Sequence, residues 1–202
     1  MIIGLASQAQ MGKNVVGDYL LGKLDFDFEL RAFAKGVKQI FAETFDVSYE
    51  FIEEWKVKDE VPPGFQMPVR KGLQFIGDGC RNIRNTIWID LALRDDAPKI
   101  MTDVRYPNEF IRIKQEGGFN VLLARPSKLN YDPNGSEALI RPYVEWALAN
   151  LKSGSLDEQP LESAPDGMVN FDYFIRNDGT LEELYANVDK MIPYISAHFV
   201  PF

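Results

Sequence analysis

The chain of 202 residues is 46% hydrophobic and 26% charged and carries a net charge of −8, the balance of one globular domain with a sizeable core rather than of a disordered or fibrous chain. That negative charge excludes a protein that coats DNA or RNA, which must neutralise many phosphates with Lys and Arg, but not a small phosphate ligand that needs only a local cationic cluster. A single cysteine, Cys80, excludes an intrachain disulfide and a cysteine zinc cluster, and the setting of the single histidine, His198, in the aromatic-rich tail HFVPF argues against a histidine-based metal site or triad; with no apolar stretch near membrane-spanning length and no basic leader, a cytoplasmic protein without a membrane partner is expected.

Met1–Ala6 (MIIGLA) is a short unbroken apolar run, the pattern of a strand buried on both faces. After a turn, Asn14–Leu24 sets Val15, Tyr19 and Leu20 at helical spacing, and Phe26, Phe28 and Leu30 alternate with charged residues as a second strand would. Phe33–Phe45 predicts a helix with Phe33, Val37, Ile40 and Phe41 on one face; Ser48–Trp55 predicts a short one with Ser48 as its N-cap. Pro62, Pro63 and Gly64 make 58–67 a loop, and Pro68 suits the first position of a helix that runs to about Gly77, its periodic faces continuing to Arg81. A further helix is expected over Asn85–Arg94, a third strand over Lys99–Thr102, a helix over Asn108–Glu116 that stops at Gly117-Gly118, and a fourth strand over Asn120–Ala124.

Residues 127–168 differ in character. They are proline-rich, carry the turn signals DPNG and KSGS, and hold one helical stretch around Glu137–Leu151, the make-up of a lid-like insertion over an active site within a single domain spanning 1–202. A last strand is expected over Phe171–Arg176, after which Asn177-Asp178-Gly179 turns into a helix whose start carries the capping-box pair Thr180 and Glu183. Strands that alternate with helices, with little sign of hairpins, indicate an α/β fold with a mainly parallel sheet flanked by helices. Ligands in such folds bind beyond the carboxyl ends of the strands. The segments of interest are therefore 7–13, 103–105, Arg125 and 177–179.

The first of these reads SQAQMGKN from Ser7 to Asn14, where a phosphate-binding loop has the pattern G-x-x-x-x-G-K-[ST]. Gly12 and Lys13 match, Ser7 stands at the first glycine and Asn14 at the hydroxyl residue. Between a buried strand and a helix, successive backbone N–H groups make an anion site, Gly12 lets the chain approach phosphate, and Lys13 neutralises charge. An ordinary strand-to-helix turn with a surface lysine is the alternative.

Four further segments carry a resemblance. TDVRYPNE at 102–109 resembles the DVRFPNE signature of phage-type deoxynucleoside monophosphate kinases, and GKNVVGDYL at 12–20 is similar to that family's GKDTVADYL. RKGLQFIGDGCRNIRNTIW at 70–88 resembles its R-x-x-L-Q-x-x-G…R…W helix, and FDYFIRNDGTLEEL at 171–184 its D-x-x-I-x-N-D-G-T-x-E-E-L ending. The order agrees, and only the segment 127–168 has no counterpart. The resemblance implies a P-loop kinase fold, ATP with Mg²⁺, and a (deoxy)nucleoside monophosphate acceptor in deoxynucleotide metabolism, in the host cytoplasm if the chain is phage-encoded. Gln10, Met11, Gly12, Lys13, Asn14 and Val15 would line the ATP phosphates, Lys13, Asp103 and Arg105 would be catalytic, and Asn177 and Gly179 would lie near the adenine. A homodimer is compatible with it.

Residue chemistry adds roles and alternatives. Asp103 is a Mg²⁺ ligand, directly or through water, or else a strand-end capping residue. Arg105, two residues on, can grip a phosphate with two parallel hydrogen bonds or pair with Glu109. On the helix at 68–81, Val69, Leu73, Ile76 and Cys80 form an apolar stripe, while Arg70, Gln74, Asp78 and Arg81 form a neighbouring one suited to the acceptor phosphate and a base edge. Arg125 approaches ATP or pairs within the fold, and Trp88 reads as core. The family's Asp-Thr after the lysine is Asn14-Val15 here, so a Mg²⁺-binding hydroxyl is missing and Asn14 offers only an amide oxygen. A non-catalytic nucleotide-binding or regulatory protein and a dephospho-coenzyme A kinase-like enzyme are the competing readings.

Overall fold

Unbroken apolar runs become strands where both faces can be covered, and the two runs with the fewest polar interruptions form neighbouring strands here. They are β1 (Ile2–Ala6) and β4 (Phe119–Ala124), each buried along its whole length. The computed structural model describes residues 1–131 and 135–199; the expected DPNG turn lies mostly outside the described residues. The remaining elements in chain order are α1 (Lys13–Leu21), β2 (Glu29–Arg31), α2 (Ala34–Phe45), α3 (Tyr49–Trp55), α4 (Val69–Ile83), α5 (Ile87–Ala92), β3 (Lys99–Val104), α6 (Pro107–Gln115), α7 (Ser136–Asn150), β5 (Gly154–Ser155), β6 (Tyr173–Arg176) and α8 (Leu181–Phe199).

The chain divides into two compact units, residues 1–31 with 96 onward, and residues 32–95. The first holds a six-stranded sheet in the order β2-β3-β1-β4-β6-β5. All its pairings are parallel except that of β5 with β6. The carboxyl ends of β1, β3, β4 and β6 therefore share one edge, where the segments singled out in the sequence emerge. One face of the sheet packs Ile3, Leu5, Val121, Leu123 and Ile175 against Val16 and Leu20 of α1 and Leu184, Val188 and Met191 of α8. Burying each such side chain contributes about 1.5–3 kcal/mol. The start of α8 has the expected capping box: Thr180 N–H donates to Glu183 Oε2 at 2.7 Å and Glu183 N–H to Thr180 Oγ1 at 3.2 Å.

The second unit is helical. Phe41, Ile52 and Val69 are its buried centre, with Phe65, Leu73 and Ile76 packed against them. Ser48 caps α3, accepting from Phe51 N–H at 3.2 Å. The sequence placed the end of α4 near Gly77, but the helix continues to Ile83. Gly77 is buried and its carbonyl accepts from Trp88 Nε1 at 3.0 Å, so the helix is held through the glycine by a tertiary contact. Trp88 is core, as expected. The helix expected over Asn85–Arg94 is shorter, Ile87–Ala92, with Arg84 and Thr86 both bonded to Asp90 ahead of and within its first turn.

Three further boundaries differ from the sequence expectation. β2 keeps only three residues, β3 runs on through Asp103 to Val104, and the antiparallel strand β5 was not foreseen. Segment 127–168 supplies β5 and also α7, whose buried residues are Glu137, Ile140, Val144 and Ala147. Among the described residues, no helix is long and apolar enough to cross a membrane.

Candidate functional site

β1 delivers the chain to the sheet edge at Ser7, and α1 begins at Lys13; the loop between them turns through two left-handed residues. Gln10 has φ 59° and Gly12 has φ 101°. At Gly12 a Cβ would also lie 2.8 Å from Asn177 Nδ2, so conformation and space both require glycine. The loop is fastened from neighbouring strand ends: Asn177 Nδ2 donates to Met11 O at 3.0 Å, and Arg125 N–H points at Met11 Sδ at 3.0 Å. Met11 itself is fully buried. Each backbone N–H from Ala9 to Val15 makes no hydrogen bond among the described residues, the first intrahelical bond being Val16 N–H to Gly12 O at 3.0 Å. A run of unpaired N–H groups at a helix N-terminus is a concavity for an anion.

Lys13 folds back into this loop. Its Nζ donates to Ser7 O at 2.8 Å, Ser7 Oγ at 2.8 Å and Gln8 O at 2.7 Å, and the residue is 8% exposed. Those three bonds use all three protons of an ammonium. Burial pulls the other way, and with the Arg105 guanidinium it lowers the Lys13 pKa to about 7, against upward pulls from Asp103 and Glu137. Near neutral pH the charged and neutral forms are thus close in free energy, and an incoming anion would favour the charged one.

Asp103 and Arg105 are therefore brought to Lys13, as the sequence placed them. Asp103 sits in the last turn of pairing between β1 and β3, where the register shifts between Gly4 and Ala6. Arg105 does not take the Glu109 pairing considered as its alternative. Glu109 Oε2 instead accepts the backbone N–H groups of Arg105 at 2.7 Å and Tyr106 at 3.0 Å, opening α6. The guanidinium reaches across to α7, where Nη1 donates to Glu137 Oε1 at 3.2 Å and Ser136 Oγ at 3.4 Å; Arg105 Nε is buried with no hydrogen-bond partner among the described residues.

Gln8 lies within the segment of interest 7–13 but was given no role of its own, and Asn130 and Glu137 were not singled out as site residues. Gln8 is fully buried and pairs reciprocally with the Asn130 backbone, Nε2 donating to its carbonyl at 2.7 Å and Oε1 accepting its N–H at 3.0 Å. Gln8 occupies a variable position of the loop pattern, and its partners lie more than a hundred residues on, so nothing local in the sequence marked its role.

The remaining expected residues fall into two groups. Asn177 and Gly179 line a surface cleft of about 560 Å³ with Arg176, Asp178, Asn187 and Lys190. Arg125 is half-buried at the end of β4. Asn14 and Val15 are exposed in the first turn of α1. In the helical unit Arg70, Gln74 and Asp78 are exposed on α4, while Arg81 is half-buried and pairs with Asp78 Oδ1 at 3.2 Å. Of the two expected metal donors, Asp103 acts electrostatically on Lys13 and Asn14 is exposed in the first turn of α1. That sparse oxygen set fits Mg²⁺, which keeps several waters and takes substrate phosphates as ligands, and does not fit a dedicated all-protein cage.

No family model matches the chain. A protein of Acanthamoeba polyphaga mimivirus described as "Putative deoxynucleotide monophosphate kinase" is 28% identical over 178 residues, spanning 78% of this chain and 91% of the relative. Among solved structures, shikimate kinase from Acinetobacter baumannii in complex with shikimate aligns over 99% of this chain and 95% of its own, with a TM-score of 0.52 and 15% identity. A dephospho-CoA kinase from Campylobacter jejuni aligns over 98% of each chain with a TM-score of 0.45 and 14% identity. The α/β fold expected from the sequence, a mostly parallel sheet flanked by helices, is the one found, and it is shared with that shikimate kinase.

Proposed function

We propose that the chain is a nucleotide kinase that transfers the γ-phosphate of ATP to a (deoxy)nucleoside monophosphate, giving ADP and the nucleoside diphosphate. The observation that carries this reading is the open row of backbone N–H groups from Ala9 to Val15 wrapped around Lys13, with Asp103 and Arg105 beside it. The mimiviral relative supports the choice of a nucleoside monophosphate as acceptor.

In this mechanism the N–H row holds the β- and γ-phosphates, and Lys13 exchanges its bonds to Ser7 and Gln8 for phosphate oxygens. Asp103, with the Asn14 amide, would hold Mg²⁺, which when bound supplies further charge neutralisation. An oxygen of the acceptor's phosphate forms the new bond to the γ-phosphorus while the bond to the β,γ-bridging oxygen breaks and ADP departs. Arg105 holds the acceptor phosphate, and Asn177 and Gly179 flank the adenine; on the helical unit, Arg70 and Gln74 are the residues suited to an acceptor phosphate and a base edge. Catalysis is then chiefly positioning and charge stabilisation.

A second reading, nucleotide binding without transfer, is favoured by the absence of a hydroxyl at Asn14 and Val15. ADP production from ATP and Mg²⁺ against a panel of ribo- and deoxyribonucleoside monophosphates separates the two. Turnover with at least one acceptor supports the kinase, and binding without turnover supports the alternative.

A further inference from the structure

The Arg105 guanidinium acts electrostatically on Lys13, yet nothing on the strand it follows, β3, is bonded to it. The carboxylate that holds it is that of Glu137, 32 positions further along the chain. Glu137 is 4% exposed and lies in the first turn of α7, where the helix dipole favours a carboxylate. Each of its two oxygens has a separate donor: Oε1 takes Arg105 Nη1 at 3.2 Å and Oε2 takes Asn130 Nδ2 at 2.7 Å. The backbone of the same two residues is tied to the phosphate loop by one side chain, since Gln8 Nε2 donates to both Asn130 O and Glu137 O, at 2.7 and 3.2 Å. The start of α7 is thus fixed to the loop through Gln8 and to Arg105 through Glu137.

We infer that Glu137 is a positioning residue, holding the Arg105 guanidinium beside the phosphate loop so that its remaining N–H groups are directed before the acceptor phosphate arrives. The assignment rests on the kinase reading for what Arg105 grips, and on geometry alone for what grips Arg105. The buried Arg105 Nε, which has no partner among the described residues, is a donor left over for an anion. The residue is specific in kind as well as place. Glutamine would match its size but would set an N–H₂ group against one of two donors, whereas aspartate would keep two acceptors at a shorter reach.

Two measurements test this. Arginine side-chain NMR, with the Arg105 signal assigned by its loss in Arg105→Lys, reads rotation of the guanidinium directly and needs no turnover. Rotation should be hindered in the wild type, free in Glu137→Gln and partly hindered again in Glu137→Asp. Free rotation in the wild type overturns the proposal. Steady-state kinetics with the preferred nucleoside monophosphate should show the acceptor KM of Glu137→Gln raised about tenfold, the scale of one charged hydrogen bond, with the ATP KM nearly unchanged and partial recovery in Glu137→Asp. In an Arg105→Ala background the same substitution should add little, because the effect passes through Arg105. A loss that is fully additive with Arg105→Ala, or an unchanged acceptor KM, overturns it as well. Hindered rotation released by Glu137→Gln in a protein that turns over no nucleotide would uphold the positioning and fail the kinase reading instead.

Discussion

The phosphate-loop end of the sheet and the α4 helix present two different kinds of cationic surface. At the loop, Lys13 is buried and its three donors are all engaged, and Arg105 is pinned by Glu137. On α4, Arg70 and Gln74 are exposed, on a helix whose other side faces the core of its unit. The first surface is organised before any ligand binds, so its charges are already placed for phosphate. The second is open to water, where ordering a long side chain around a ligand costs conformational entropy. Fixed chemistry at one place and adjustable recognition at the other is a division expected of an enzyme that performs one transfer on a chosen acceptor.

The largest expected effect is at the organised end. Lys13→Ala should lower phosphoryl transfer by orders of magnitude in a steady-state ADP assay, since charge placement carries most of the barrier reduction. The same change should barely alter binding of the acceptor alone. Arg105→Ala and Arg70→Ala then divide the two surfaces. Both should weaken acceptor use by about 1.5–3 kcal/mol, the cost of a charged hydrogen bond. Only Arg105→Ala should also lower stability in urea unfolding, by about 1–3 kcal/mol, because it leaves buried Glu137 without its cation. Arg70→Ala on the exposed face should stay within about 0.5 kcal/mol. Equal stability losses for the two would break the comparison.

Asn14→Thr sharpens the loop side. Restoring a hydroxyl after the lysine should reduce the free Mg²⁺ needed for half-maximal rate and raise kcat by up to about tenfold, a gain of about 1.4 kcal/mol. A Mg²⁺ titration of both proteins at fixed ATP and acceptor checks it; no change in either quantity would leave Asp103 as the sole protein ligand.

A smaller, pH-dependent effect follows from the Lys13 pKa of about 7 against an ordinary 10.5. Between those values the unfolded chain binds the proton and the folded chain does not, so stability rises with pH across the window. The penalty of burying the charge is complete below about 7 and gone above about 10.5. Lys13→Met should remove this slope from the unfolding free energy. Nucleotide binding near pH 8 should draw in a fraction of a proton, seen by calorimetry in buffers of different ionisation enthalpy and absent in Lys13→Met.

What could be read in the sequence were features whose cause lies within a few residues. The apolar run of β1, Gly12-Lys13, the Ser48 cap and the Thr180–Glu183 capping box are local patterns, and the structure has each of them. Features fixed by distant partners were not legible. Gly77 looks like a helix end until Trp88 bonds to its carbonyl. Gly154 and Ser155 form a strand only because β6 offers an edge, for two residues carry no alternation to detect. Arg105 had a partner within reach four residues away in Glu109, but that carboxylate is occupied by backbone N–H groups, and the guanidinium is held by Glu137, 32 positions along the chain.

The central claim is transfer of a phosphoryl group between nucleotides at the Lys13 loop. Its most direct test supplies γ-labelled ATP, Mg²⁺ and each deoxynucleoside monophosphate in turn to the wild type and to Lys13→Ala, and asks where the label goes. The account requires label in one nucleoside diphosphate, matched one for one by ADP, and its near disappearance in Lys13→Ala. Label appearing only as inorganic phosphate, no turnover with any acceptor, or undiminished transfer in Lys13→Ala would contradict it.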